Sequence, residues 1–281
     1  MAGNPRRSVE PEQMVWMFGS SRTGSTWLSK MMGEFENQER WHEPYVGLLF
    51  GSFLYERLAG NKKLPQAPAF IMGEPYRETW MRSIKNFVLD GAEARFPELR
   101  GDQYLIIKEP NGSIGAPLLM EALPESRMIF LIRDPRDVVA SRLDAFGRGG
   151  WTGRNQDFAT EEELNAYTRR LAGQFLDVVS RVREAFEAHE RAKVLVRYES
   201  LRADPVGTMR RMYDELGIEV AGPRLEEAVA RHSWERLPED AKGSGKFYRK
   251  ARPGGWREDL TPEQARIVEE VAGPIIAEYY A

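Results

Sequence analysis

Residues 14–33 read MVWMFGSSRTGSTWLSKMMG, and this stretch decides the fold. Its first five residues are apolar without alternation, which is typical of a strand buried on both faces. A tight polar loop follows at 19–24, and a helical pattern then begins at Ser25. Because the start of a helix presents unpaired N–H groups at the positive end of the helix dipole, the stretch predicts an anion site.

The loop nearly matches the nucleotide-binding P-loop, G-x-x-x-x-G-K-[ST]. Gly19 and Gly24 have the required spacing, but Ser25 stands where that motif has its lysine, and the cation is Arg22, inside the loop. We therefore predict a phosphate cradle without the P-loop lysine, which argues against ordinary ATP or GTP chemistry. The alternative is a strand-to-helix turn that binds nothing.

Composition limits the classes of function. The 281 residues suit one α/β unit, and we predict a flexible tail at 1–12 and a single domain at 13–281. The net charge of −3 favours neither nucleic acid nor membrane as a partner, and the absence of cysteine excludes disulfides and thiolate catalysis. The three histidines form no metal-binding pattern. With no apolar signal region in the sequence, we predict a cytoplasmic protein.

Strand and helix patterns alternate along the chain. Apolar runs at 14–18, 104–107, 127–132 and 193–197 predict buried strands, and a long apolar stripe predicts a helix at 161–190. This alternation predicts a parallel β-sheet flanked by helices on both faces.

Charged residues follow two of these strands. In open parallel sheets ligands bind beyond the carboxyl ends of the strands, so Lys108 and Glu109 lie where chemistry is expected. Arg133 ends the next strand, and Ser141 lies about two helical turns later, so the two can hold a phosphate. Asp134 between them is interpreted as a helix cap. The alternative for Lys108 and Glu109 is a solvated loop pair.

Two further segments are candidates for the site. His42 and Glu43 precede Pro44 just past the first helix, where they face either the cradle or solvent. Residues 243–257 read GSGKFYRKARPGGWR, with five cations and no helix or strand period. Such a basic loop is suited to closing over phosphates, although a disordered surface loop has the same composition. We interpret 144–160 as a mobile loop.

Four segments, taken in order, resemble the motifs of the sulfotransferases. The cradle GSSRTGSTWL resembles their 5′-phosphosulfate loop, and IRDPRDVVAS resembles their 3′-phosphate motif, an Arg with a Ser eight residues later. RYESL and FYRKARPGGWR resemble two later motifs, so that the likeness covers almost the whole chain. It implies a P-loop NTPase-like α/β sulfotransferase fold. It also implies the donor 3′-phosphoadenosine 5′-phosphosulfate (PAPS), with 3′-phosphoadenosine 5′-phosphate (PAP) as product and without metal.

The resemblance also implies two sets of site residues. The set implied to bind the donor is Arg22, Thr23, Gly24, Ser25, Thr26, Trp27, Arg133, Ser141, Tyr198, Trp234, Arg249, Lys250, Ala251 and Arg252. The set implied to be catalytic is Arg22, Glu43, Lys108, Glu109 and His42. Cytosolic members carry a histidine after the second predicted strand, which is missing here. Carbohydrate members carry Phe-Glu-Pro near the position of His42-Glu43-Pro44, and this resemblance implies Glu43 as the general base, with Glu109 and His42 as the other candidates.

Departures from the family pattern leave other functions open. Ala251 stands at a glycine position of the C-terminal motif, where an unusual backbone angle is less accessible to alanine. A P-loop kinase is the alternative, supported by the glycine spacing and by Asp134, which resembles a Walker B carboxylate. A second alternative is a non-catalytic nucleotide-binding protein. The predicted acceptor is the hydroxyl of a small molecule or carbohydrate. We expect residues 45–80 and 144–160 to shape the acceptor pocket. We also expect a homodimer.

Overall fold

A parallel sheet of five strands organises the chain, of which the computed structural model describes residues 9–57, 61 and 63–280. The strands follow the spatial order β2–β3–β1–β4–β5, and every neighbouring pair is parallel. Their bounds are β1 Met14–Phe18, β2 Gln38–His42, β3 Tyr104–Lys108, β4 Arg127–Ile132 and β5 Lys193–Arg197. This confirms the predicted fold class.

Helices cover both faces of the sheet. Their bounds are α1 Ser25–Met32, α2 Val46–Gly51, α3 Arg77–Arg95, α4 Ala116–Ala122, α5 Pro135–Phe146, α6 Glu161–Ala188, α7 Tyr198–Ala203, α8 Pro205–Leu216, α9 Gly222–Arg231, α10 Trp256–Asp259 and α11 Pro262–Tyr279. Within the described ranges, none of these helices combines the length and the hydropathy that a bilayer crossing needs.

The central strand shows why the sheet is buried on both sides. Trp16 and Phe18 of β1 enter one apolar core, which contains residues of α3, α4, α5, α6 and α11. Val15 and Met17 enter a second core on the opposite face, with residues of α1, α8 and α9. Because successive side chains of a strand point to opposite faces, an unbroken apolar run satisfies both cores.

The edge strand β2 was not predicted. Its sequence, QERWH, is polar, and only its first residue is buried. It pairs with β3 alone among the strands, in a register that sets His42 beside Lys108. The strand therefore delivers the next residue, Glu43, to the carboxyl end of the sheet, where the predicted cradle lies.

The N-terminal segment packs closer to the domain than a flexible tail. Residues 1–8 of the predicted tail lie outside the described part of the chain. Val9 is fully buried in the first core, and Pro11–Gln13 form a 3-10 turn that leads into β1. The predicted start of the domain at residue 13 is therefore preceded by at least one residue of its core. That 13–281 form a single domain stays a prediction.

Candidate active site

A cleft of about 500 Å³ opens beside the loop that joins β1 to α1, at the carboxyl end of the sheet. Its described lining includes seven arginines and lysines against one carboxylate, that of Glu43. The seven are Arg22, Lys108, Arg133, Arg154, Arg202, Arg249 and Lys250. This excess of positive charge within one concave surface suits an anionic ligand.

The β1–α1 loop needs its glycine for two reasons. Gly24 precedes α1 with a φ of +89°, a left-handed conformation that favours glycine. A Cβ there would lie only 2.7 Å from the ring of Tyr198. Ser25 and Thr26 then open the helix and line the cleft, as predicted. Thr23 differs, because its buried hydroxyl donates to the carbonyl of Ser20 at 2.8 Å, inside the loop, and it does not line the cleft.

The side chain of Arg22 joins three parts of the cleft. Its Nε donates to Ser141 Oγ at 2.9 Å, and a terminal nitrogen donates to the carbonyl of Phe247 at 2.7 Å. The guanidinium lies 5.0 Å from the ring of Phe247 and 5.5 Å from that of Trp151. Burial, together with the charges of Arg133 and Arg249, lowers the pKa of Arg22 to about 10. A bound anion would relieve that repulsion.

The predicted phosphate pair lies next to this arginine. Arg133, at the end of β4, donates to the carbonyl of Arg22 at 3.1 Å, and its guanidinium lies 4.4 Å from the ring centre of Tyr198. Its Nε is buried and has no hydrogen-bond partner in the described structure. Ser141 is 3% exposed and lines the same cleft. An unpartnered buried donor on a cation fits an anionic oxygen acceptor.

Asp134 caps α5, as predicted. Its carboxylate accepts from the backbone N–H of Arg136 at 2.8 Å and also binds the guanidinium of the same residue. Asp134 does not line the cleft. The carboxylate that resembles a Walker B acid is therefore occupied by the helix start and by Arg136.

The C-terminal basic loop reaches the cleft with three of its four predicted residues. Arg249 and Lys250 line the cleft and pair with Asp259, at 2.5 and 2.7 Å. Ala251 also lines it and adopts a φ of +47°, the left-handed conformation that the family's glycine would adopt more readily. Arg252 instead pairs with Glu258 and does not line the cleft.

A buried carboxylate of α5 holds this loop. Asp137 is fully buried and accepts from the backbone N–H groups of Gly254 and Trp256, at 2.7 and 2.9 Å. The same carboxylate lies 3.8 Å from the guanidinium of Arg133. One acid therefore connects the loop to the predicted phosphate pair.

Aromatic side chains form another wall of the cleft. Trp27 donates its Nε1–H to the carbonyl of His232 at 2.8 Å and meets Tyr198 edge to face, with ring centres 6.5 Å apart. Trp234 also lines the cleft, with Lys242 Nζ 5.3 Å from its ring. The resemblance implies that Trp27, Tyr198 and Trp234 all bind the donor.

Glu43 and Lys108 form a close pair at the far end of the cleft. Glu43 follows β2 with a φ of +50°, and its carboxylate accepts from Lys108 Nζ, from Tyr45 Oη at 2.9 Å and from Asn111 Nδ2 at 2.8 Å. Although burial acts to raise it, the hydrogen bond and charge of Lys108 lower the pKa of Glu43. Burial lowers the pKa of Lys108, whose Nζ also donates to Thr26 Oγ1 at 3.2 Å. Glu43 is therefore held ionised at the mouth of the cradle.

The other two predicted bases lie elsewhere. Glu109 is fully buried and does not line the cleft, and its two oxygens accept from the backbone N–H groups of Tyr45 and Gly47, each at 3.1 Å. Burial raises the pKa of Glu109 to about 7. The side chain of His42 is 62% exposed and does not line the cleft, although its ring approaches Lys108 Nζ at 3.5 Å. Glu109 therefore supports the turn that carries Glu43.

Several residues of the cleft were not predicted individually. Asn111 follows the Lys108–Glu109 pair by two residues, and its contact with Glu43 has no sequence signature. Phe247 lies in the basic motif, and its backbone carbonyl accepts a hydrogen bond from Arg22. Because every residue has a carbonyl, the sequence cannot predict this contact. Trp151 lies in the segment assigned to the acceptor, and its size and isolation in a polar loop were the available signal.

Comparison with known protein families gives a match over most of the chain. A family profile described as "Sulfotransferase family" matches residues 15–222. The omega-hydroxy-beta-dihydromenaquinone-9 sulfotransferase Stf3 of Mycobacterium bovis is 27% identical over 206 residues, which are 72% of this chain and 46% of that protein. Carbohydrate sulfotransferase 3 of Rattus norvegicus is 28% identical over 169 residues, which are 56% of this chain and 34% of that protein. The chain thus spans half or less of the length of these curated relatives.

A solved structure with the same fold covers nearly the entire chain. The mouse sulfotransferase SULT7A1, complexed with PAP, superposes with a TM-score of 0.60 over 96% of this chain and 85% of its own. The identity of 15% means that this likeness shows the fold alone.

Proposed function

Because this chain belongs to the sulfotransferase family, we propose that it transfers a sulfuryl group from PAPS to a hydroxyl of a small molecule or carbohydrate. One observation carries the proposal. The β1–α1 loop, the Arg133–Ser141 pair and the Glu43–Lys108 pair all border one cleft of about 500 Å³. Two anion-binding groups and a single ionised carboxylate are what such a transfer requires of the protein.

The described residues fit the donor. The buried Arg133 Nε has no partner among the described residues, and Ser141 lines the same cleft, so this pair suits the 3′-phosphate. The start of α1, with Ser25 and Thr26 lining the cleft, suits the 5′-phosphosulfate. Trp27 and Trp234 suit the adenine. When bound, the donor supplies the sulfuryl group on its 5′-phosphate.

Glu43 is the base in this proposal. The oxygen of the acceptor hydroxyl forms the new bond to sulfur while the bond between sulfur and the 5′-phosphate oxygen of PAPS breaks, so that PAP leaves. The proton of the hydroxyl passes to the carboxylate of Glu43. A positioned base contributes typically ~10²–10⁴ in rate. Lys108 keeps Glu43 ionised and directs an N–H toward Thr26 at the start of α1, where charge grows during transfer. Arg22 adds positive charge at the same loop.

The relatives support the class of acceptor. The name of the Mycobacterium bovis relative specifies a hydroxylated dihydromenaquinone, and the Rattus norvegicus relative is a carbohydrate sulfotransferase. Both names specify a sulfotransferase, and one names a hydroxyl-bearing substrate. Exposed aromatic side chains around the cleft, such as Trp151 and Tyr45, suit a ring or an apolar chain next to that hydroxyl.

The remaining expectations stay predictions. Among the described residues no group of three or more His, Asp or Glu side chains is placed to hold a metal ion, and metal-free transfer is part of the proposal. The cytoplasmic location and the absence of nucleic-acid and membrane partners are proposed on the sequence alone, and the homodimer stays an expectation. The kinase alternative is not favoured, because Asp134 is engaged with Arg136.

Calorimetry and a transfer assay test the proposal together. We expect PAP to bind without metal at least tenfold more tightly than AMP, and PAPS labelled with ³⁵S to transfer its label to one or more members of a hydroxyl-compound panel. Binding of ATP with Mg²⁺ in preference to PAP would favour the kinase. Tight PAP binding with no transfer to any acceptor would favour a non-catalytic nucleotide-binding protein.

A further inference from the structure

A buried cation lies directly behind the β1–α1 loop. Arg142, in α5, is 7% exposed, and it does not line the cleft. Its Nε donates to Ser21 Oγ at 3.1 Å, and a terminal nitrogen donates to Ser20 Oγ at 2.8 Å. Ser21 itself lines the cleft. A single side chain therefore separates this guanidinium from the site of the anionic ligand.

No acid of the described residues balances the charge of Arg142. No carboxylate of the described residues lies within ion-pair distance of it, and its other hydrogen bond is to the carbonyl of Leu171, at 3.5 Å. The charged residues that influence it include two more cations, Arg22 and Arg154. Burial lowers the pKa of Arg142 to about 10, so it remains a cation at neutral pH.

A buried unpaired charge destabilises a protein unless another charge compensates it. Two other arginines of low exposure pair with acids: Arg136 with Asp134 at 2.8 Å, and Arg249 with Asp259 at 2.5 Å. Because no acid of the described residues does this for Arg142, a bound anion is the candidate for the compensating charge. The cleft beyond Ser21 is the nearest place for it.

We propose that Arg142 is a positioning residue for the donor: it fixes the two loop serines, and its charge is balanced by the phosphates of the ligand in the cleft. The proposal rests on the proposed function, since it takes a nucleotide with two phosphate groups as the ligand. It separates Arg142 from the neighbouring Ser141, which lines the cleft and is expected to contact the ligand directly.

Arg142→Met tests the proposal with two measurements that move in opposite directions. Methionine is neutral, unbranched and of similar length. We expect the dissociation constant for PAP, measured by calorimetry at pH 7, to rise about tenfold, because the compensating charge is lost. The melting temperature without ligand should stay within about 2 °C of wild type or rise, because the buried charge is gone.

Two further variants separate charge from shape. Arg142→Lys retains the charge and should bind PAP within about threefold of wild type. Arg169→Met changes the net charge equally, but Arg169 lies on α6 and pairs with Glu270, so PAP binding should be unchanged. If the wild type binds PAP no better than AMP, the proposed function fails, whatever Arg142 does.

Three results would overturn the inference alone, with the wild type binding PAP well. One is an Arg142→Met variant with wild-type affinity for PAP. Another is a variant whose melting temperature without ligand falls by several degrees or that does not fold, which would show an ordinary structural role. The last is an Arg142→Lys variant that binds as weakly as the methionine variant.

Discussion

The donor side of the cleft and the side that we assign to the acceptor differ in how they are built. Arg133, Ser141 and Tyr198 of the donor side are at most 8% exposed. Tyr45, which hydrogen-bonds Glu43, and Trp151, in the segment that we assign to the acceptor, are each 46% exposed. Buried residues have one set of neighbours, so the donor side is largely preformed, whereas exposed side chains leave the acceptor side open to different molecules. Each side should therefore respond differently to mutation.

The largest expected effect separates chemistry from donor binding. Glu43→Gln keeps the shape of the side chain but removes the base, so turnover should fall by ~10²–10³, while the dissociation constant for PAP changes less than about threefold. Turnover from the labelled donor and PAP calorimetry are the two measurements. Glu39→Gln, on the exposed face of β2, is the matched control and should behave as wild type. Full turnover in the Glu43 variant would reject Glu43 as the base.

A substitution on the donor side should act first on PAP binding. Gly24→Ala places a Cβ 2.7 Å from the ring of Tyr198 on a backbone with φ of +89°, so it distorts the cradle. We expect PAP binding to weaken by about 100-fold, in line with a few kcal/mol of strain and clash. Gly173→Ala is the control, because nothing lies within 4 Å of a Cβ at that helical position. Unchanged PAP affinity in the Gly24 variant would contradict the assignment of the cradle.

The adenine wall should give a smaller effect. Trp234→Ala removes one aromatic face, and we expect PAP to bind about tenfold more weakly, the usual contribution of base stacking. Inorganic pyrophosphate has no base, so its binding should not change. Equal weakening for both ligands would show that Trp234 acts on the cleft as a whole and does not stack on the adenine.

The smallest effect concerns the pH at which turnover is lost. Glu43 must be ionised to accept a proton, and its pKa is lowered below the ordinary 4.5, so turnover should hold until the pH falls below that value. In Lys108→Met only the hydrogen bonds of Tyr45 and Asn111 still oppose the burial that raises this pKa, so the acid limb should move to higher pH. Lys85→Met removes a lysine paired with Glu125 and serves as control. If the acid limb of the Lys108 variant stays at the wild-type pH, Lys108 does not set the pKa of Glu43.

The sequence predicted the strands better than the directions of Lys108 and Glu109. Four strands were predicted within one residue because each contains at least three consecutive apolar residues. The remaining strand, Gln38–His42, was missed because an edge strand can be polar. Lys108 and Glu109 were both assigned to the chemistry. Adjacent residues at a strand end point to opposite sides, so only one of the pair can face the cleft. The alternation of side chains along a strand therefore distinguishes Lys108 from Glu109.

On the donor side, the sequence indicated which residues lie near the cleft but not where their side chains point. Most of the predicted residues line the cleft, but Thr23 bonds within its loop and Arg252 pairs with Glu258. Arg22 was assigned to the 5′-phosphate, yet its guanidinium binds Ser141 and the carbonyl of Phe247. Whether a long side chain faces a ligand or a neighbour depends on loops that have no periodicity, so motifs cannot supply it.

Asp137 links the C-terminal loop to Arg133, a proposed phosphate-binding residue. Its carboxylate holds two backbone amides of the C-terminal loop and lies 3.8 Å from Arg133. When phosphate oxygens engage Arg133, they compete for the same positive charge that Asp137 faces. If a nucleotide at Arg133 weakens the contacts of Asp137 with the loop, linkage requires that a change in those contacts alters nucleotide affinity by the same factor.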